Sequence, residues 1–83
     1  MPVDGREATL KVRDYFVEVH GPYAVIGFSV ENVSWNEAKK EWEVQCSFFP
    51  GMVPTRDYYE VTISEDGGIL NVAKIAPQAV DRS

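Results

Sequence analysis

Glu41-Trp42-Glu43-Val44-Gln45-Cys46-Ser47-Phe48-Phe49 alternates without a break. Trp42, Val44, Cys46 and Phe48 fall on one side, and Glu41, Glu43, Gln45 and Ser47 on the other. A period of two with one apolar and one polar side defines a strand with one buried face. Four large inward groups place this strand at the centre of an antiparallel sheet.

The stretch before it, residues 23–35, is extended in character, rich in Tyr, Val, Ile, Phe and Trp with few helix formers. Its alternation has a fault: Ile26, Phe28 and Val30 share one parity, Val33 and Trp35 the other. One extra residue turns all following side chains over, so a bulge is expected near Glu31-Asn32. Without it, Val33 and Trp35 would form an exposed apolar pair. Residues 36–40 are polar except for Ala38 and read as a hairpin loop. Pairing Trp35 with Trp42 across that loop puts both rings on one face, which favours the bulge.

After the central strand, Pro50-Gly51-Met52-Val53-Pro54 is punctuated by proline at both ends and cannot continue it. It is a longer turn carrying two apolar side chains. Residues 56–64 form the next strand, with Tyr59, Val61 and Ile63 opposed to Tyr58, Glu60, Thr62 and Ser64. Glu65-Asp66-Gly67-Gly68 is a tight turn with glycine where positive φ is needed. A last strand covers residues 69–75, its facing left open by a weaker alternation; residues 76–83 form a polar tail that frays.

At the other end, a helix spans about residues 4–20. Asp4 stands as N-cap with Glu7 three residues on, a variant of the capping box. Ala8, Val12, Tyr15, Phe16 and Val19 recur on one face of a 3.6-residue helix, and Gly21-Pro22 closes it. The sum is a single α+β domain, residues 1–83, with an N-terminal helix packed on a four-stranded antiparallel meander. Tyr15, Phe16 and Val19 should meet Trp42, Val44, Phe48, Val61 and Ile63.

Composition narrows what such a domain can do. Thirteen acidic against eight basic residues give a formal net charge of −5, which disfavours nucleic acid as a partner. Lys39-Lys40 is the only close basic pair and is flanked by Glu37 and Glu41. With a single cysteine, Cys46, there is neither an intramolecular disulfide nor a thiolate zinc site. No apolar run has the length of a membrane span, so membrane insertion is not expected. A free cysteine with no signal-peptide core points to the cytoplasm.

Trp42-Glu43-Val44, a proline turn, Tyr59-Glu60-Val61 and Asp66-Gly67-Gly68-Ile69-Leu70 follow one another in an order that resembles PepSY-type domains and the accessory gas-vesicle protein family lettered O. The resemblance covers roughly residues 8–75 and implies a cystatin-like shape, a curved antiparallel sheet wrapped round one helix. Protease-inhibiting cystatins carry a Gln-Val-Val-Ala-Gly hairpin, and no such run occurs here, so that activity is not implied.

Catalysis finds little support in the residue pattern. His20 lies at the helix end, and a Cys46–His20 dyad requires a buried strand face to meet that terminus. Glu65-Asp66 belongs to a turn, and one Asp-Gly does not make a calcium loop. No catalytic residue, metal ligand or cofactor is assigned. Gln45, Ser47, Phe49, Tyr58, Glu60 and Thr62 are expected on the sheet face that the helix leaves uncovered. Phe49 and Tyr58 are large aromatics on that face, and Met52 stands beside them in the proline turn. With Val33 and Trp35 joining if no bulge forms, these residues suit a protein partner or a homodimer. The reading is therefore a non-enzymatic interaction domain; the alternative is a small-ligand-binding or catalytic miniature of the cone-shaped α+β families, marked by a closed polar cavity containing His20 or Cys46.

Overall fold

The computed structural model describes residues 3–76. One helix, α1 (Gly5–His20), precedes four strands, β1 (Ile26–Asn36), β2 (Glu41–Phe49), β3 (Asp57–Ser64) and β4 (Ile69–Ile75). The strands form one antiparallel sheet in the order β1-β2-β3-β4, and α1 packs on one face of it. The chain is thus an α+β domain in which successive hairpins follow an N-terminal helix.

The start of α1 is set by Asp4, whose backbone is extended and whose Oδ1 accepts from the Glu7 N–H at 2.8 Å. At the other end Gly21 has φ 87° and ψ 155°, and its N–H donates to the Val17 carbonyl. Asp4→Ala should lower stability by about 1 kcal/mol, because the first-turn amide loses its acceptor. A urea titration followed by circular dichroism reads this; an unchanged midpoint would mean that tertiary contacts alone fix the helix start.

Ala8, Val12 and Phe16 are the fully buried helix residues, with Tyr15 half-buried. Val19, expected in the core, is 57% exposed. The buried residues step by four, and each such step advances 40° round a helix of 3.6 residues per turn. By the last turn this row has reached His20, whose ring stacks on Phe16 (centroids 5.9 Å, interplanar 14°) and lies 6.0 Å from Phe48. Val19 is left off the row.

The core between helix and sheet contains Val44, Cys46 and Phe48 from β2 and Val61 and Ile63 from β3, with Val3 closing the N-terminal end. Phe16, Phe48 and Tyr59 form its aromatic centre: Phe16 lies 5.0 Å from each of the other two, and Phe48 and Tyr59 stack at 5.4 Å and 8°. Trp42 is half-buried at the same face and donates from Nε1 to the Val3 carbonyl at 3.1 Å.

In β1 the expected bulge is present. Val30 pairs with Cys46 and Asn32 with Gln45, so Glu31 is the extra residue, and Val33 pairs with Val44 and Trp35 with Trp42. A second irregularity lies earlier. Ile26 pairs with Phe49 and Ser29 with Ser47, leaving Gly27 and Phe28 opposite Phe48 alone. Gly27 has φ 63°, a conformation open to glycine. Phe28 is turned inward against Phe48 while Ile26 faces outward with Phe49, so the two do not share a face as their spacing suggests.

β1 also begins at Ile26 rather than Tyr23. Pro22–Ala24 form a 3₁₀ turn, with the Ala24 N–H donating to the Gly21 carbonyl at 3.2 Å. Proline at the first turn position favours that helical geometry over a strand.

The facing of β4 is resolved by its register. Ile69 and Val72 pack toward the core, Leu70 is the extra residue of a third irregularity, and Ala73 and Ile75 oppose the outward Glu60 and Tyr58. The turn before it is closed by the Gly67 N–H to the Ser64 carbonyl (3.0 Å) and the Gly68 N–H to Ser64 Oγ (2.9 Å). Of the tail expected to fray, residues 77–83 lie outside the described residues.

Candidate functional site

The face of the sheet away from α1 has two unlike halves. Its apolar end gathers where β1 starts and β2 finishes. Ile26, Phe49, Gly51, Met52, Val53 and Pro54 line a shallow hollow of ≈ 470 Å³. Ile26 pairs with Phe49 in the ladder, and Tyr58, opposite Ser47, and Ile75, opposite Tyr58, extend the apolar end across β3 and β4. Met52 is 97% exposed at the rim, so the proline turn borders Phe49 instead of closing over it.

Arg56 fixes this end. Its guanidinium sits 4.6 Å from the centre of the Phe49 ring, Nε donates to Ser47 Oγ at 2.9 Å, and Nη2 donates to the Gly27 carbonyl. Ser47 in turn donates from Oγ to Glu31 Oε2 at 2.9 Å. Ser47 is fully buried, and each of its hydroxyl's roles is taken. The carboxylate of the bulge residue, the serine hydroxyl and the guanidinium thus tie β1 and β2 to the segment leading into β3. Aromatic face and cation are held against each other, which is favourable by ~0.5–2 kcal/mol.

The other half is polar and acidic. Glu41, Glu43 and Gln45 alternate along β2 beside Thr62 and Glu60 of β3, with Asn32, Ser34 and Asn36 on β1. Glu43 accepts from Asn36 Nδ2 at 3.2 Å and Glu60 from Gln45 Nε2 at 3.0 Å. Among the described residues, the ion pairs are Lys40 with Glu37 at 2.5 Å and Lys74 with Asp57 at 3.4 Å, and neither neutralises this row.

Of the residues singled out in the sequence, Phe49, Tyr58 and Met52 come together here. Val33 and Trp35 do not. The extra residue at Glu31 turns them to the helix side, where Val33 packs on the core and Trp35 lies against Trp42 with ring centroids 5.1 Å apart. Arg56 and Ile26 are the members that sequence reasoning missed. Arg56 had one signal available, being the only basic residue between Lys40 and Lys74. Ile26 had none, since nothing in Gly27 alone announces a bulge.

Trp35 and Trp42 shape a second hollow, of ≈ 420 Å³, at the opposite end of the molecule, with Val3 and Glu65 as its other walls. Trp35 Nε1 donates to Glu37 Oε2 at 2.5 Å, and Glu37 also receives Lys40 Nζ. Lys40 and the lowered Glu37 carboxyl hold each other in their charged forms, and Glu65 adds a weaker pull on Lys40.

His20 and Cys46 line neither hollow. His20 is exposed beside two phenylalanine rings. Cys46 is fully buried, and burial, reinforced by the Glu31 carboxylate, pushes its thiol up to about 12. Among the described residues no group of three His, Cys, Asp or Glu side chains is arranged to hold a metal ion, and no helix is long and apolar enough to cross a membrane.

Comparison of the chain with protein-family models, with curated proteins and with solved structures finds no match in any of the three.

Proposed function

We propose that this chain is a non-enzymatic docking domain that holds a protein partner on the sheet face opposite α1. The observation that carries the reading is the pairing of an apolar hollow, braced by the Arg56–Phe49 contact, with an acidic row on the same face. An apolar side chain of the partner enters between Ile26, Phe49 and Val53, and basic side chains lie over Glu43 and Glu60. Aromatic and methionine anchors surrounded by polar groups are the composition of protein interfaces. Face-to-face contact of two copies sets like carboxylates against each other, a cost that a basic partner avoids. This favours a different chain over a homodimer.

The thiol of Cys46 supports the non-enzymatic part, because a group titrating at about 12 supplies little thiolate near neutrality. The proposed kinship with PepSY-type domains or the gas-vesicle O family rests on the Trp42-x-Val44 and Tyr59-x-Val61 strands and is compatible with a docking role.

The test compares proteins captured from cells by the wild type and by Met52→Glu, Tyr58→Glu and Leu10→Glu. Leu10 is exposed on the helix and serves as control. A partner retained by Leu10→Glu and lost by about tenfold or more with the two sheet-face variants is the expected outcome, since hot-spot anchors are worth at least ~2 kcal/mol. Equal capture by all three variants would remove the outer face from the account. Light scattering over a concentration series tells whether a second copy occupies the face instead.

A further inference from the structure

We propose that the Trp35–Trp42 hollow is a binding site for a methylated ammonium group. This is independent of the docking face, from which it is separated by the length of the sheet.

The indole planes meet at 58° with centroids 5.1 Å apart, so the rings make a corner and not a stack. Both N–H groups are engaged in hydrogen bonds, Trp42 Nε1 to the Val3 carbonyl and Trp35 Nε1 to the Glu37 carboxylate. The aromatic walls of the hollow thus carry no free N–H donor, and indole rings attract cations through their electron-rich π-surface. Donation to a carboxylate pushes further electron density onto the Trp35 ring and strengthens that attraction.

Charge points the same way. Glu65 forms a wall of the hollow, while Glu37, at the edge of Trp35, is paired with Lys40. Among the described residues Glu65 makes no ion pair, and the stem of Lys11 runs past Gly67 of the same turn. A bare ammonium holds its water and gains little from apolar walls, whereas a methylated one is weakly hydrated and has a rounded, greasy surface that touches both rings. Aromatic corners with a neighbouring carboxylate recognise that chemistry.

The probe is tetramethylammonium chloride, titrated into the whole chain against sodium chloride at equal ionic strength. The chain contains two tryptophans, so two indole N–H resonances report on the site. Saturable shifts of both, absent with sodium, are expected. Trp35→Ala and Glu65→Gln should each weaken binding by about tenfold, the size of one cation–π contact or one local charge. Glu65 lies in an exposed turn, so its variant stays folded even if loss of Trp35 loosens the hairpin. Linear, non-saturating shifts, or unchanged affinity in Glu65→Gln, would overturn the assignment. A trimethyllysine peptide and choline then separate the sources: tighter binding of the peptide identifies a modified protein side chain, and equal binding a small free cation.

Discussion

Phe16→Ala should lower the unfolding free energy by about 3–5 kcal/mol, the largest loss expected of any single helix truncation. The ring is the central contact between helix and sheet, 5.0 Å from Phe48 and from Tyr59, in edge contact with Tyr15 and beneath His20. Truncating a buried phenylalanine to alanine costs about 3–5 kcal/mol, because the transfer energy is lost and the cavity cannot collapse fully. A chain of 83 residues has only about 4–12 kcal/mol in total to lose. Ala8 and Val12, the other buried helix residues, are too small to hold α1 in place alone. Urea unfolding reads the effect. A loss below ~1 kcal/mol would mean that the sheet keeps its shape without the helix ring.

Cys46 should be nearly inert to thiol reagents in the native state. With its thiol pushed up to about 12 from an ordinary value of 9.0, the thiolate fraction at pH 8 falls about a thousandfold. Labelling by a disulfide reagent should then proceed only through transient unfolding and accelerate steeply in urea. Rapid native labelling would show the thiol to be accessible and ionised. The same shift couples to stability. The folded state holds the proton more tightly than the unfolded chain, so the stabilisation is complete below pH 9. It falls by about 1.4 kcal/mol for each pH unit between 9 and about 12. Comparing wild type with Cys46→Ala at pH 8 and pH 10 isolates this slope from the tyrosines and lysines that titrate nearby.

Much of the architecture was legible because local and long-range signals agreed. Asp4 and Glu7 announced the helix start, the nine alternating residues of β2 announced the central strand, and the parity change after Val30 announced the bulge that aligned Trp35 with Trp42. Where the reading failed, the deciding contact was between distant residues. The irregularity at Gly27 left the spacing of Ile26, Phe28 and Val30 looking regular, and only the position of Phe48 in the neighbouring strand reveals it. Val19 was in phase with the helix face but off the four-residue row of Ala8, Val12 and Phe16 that is buried. The candidate surface divides the same way. Phe49 and Tyr58 could be placed by strand parity, and Met52 by its turn. The link from Arg56 to Gly27 and Ser47 joins residues up to 29 positions apart, and no local pattern encodes it.

The three interruptions in the strand ladders have a consequence for solution behaviour. One pair breaks step in β1 and the third in β4, and these are the two outermost strands of the sheet. A strand that kinks and twists cannot offer a long, straight row of amides and carbonyls for another chain to zip onto. Among the described residues the sheet has four strands, and both of its borders are poor templates for edge-to-edge pairing. Deleting Glu31 would remove one of the two interruptions in β1 and leave that border nearer to a straight template.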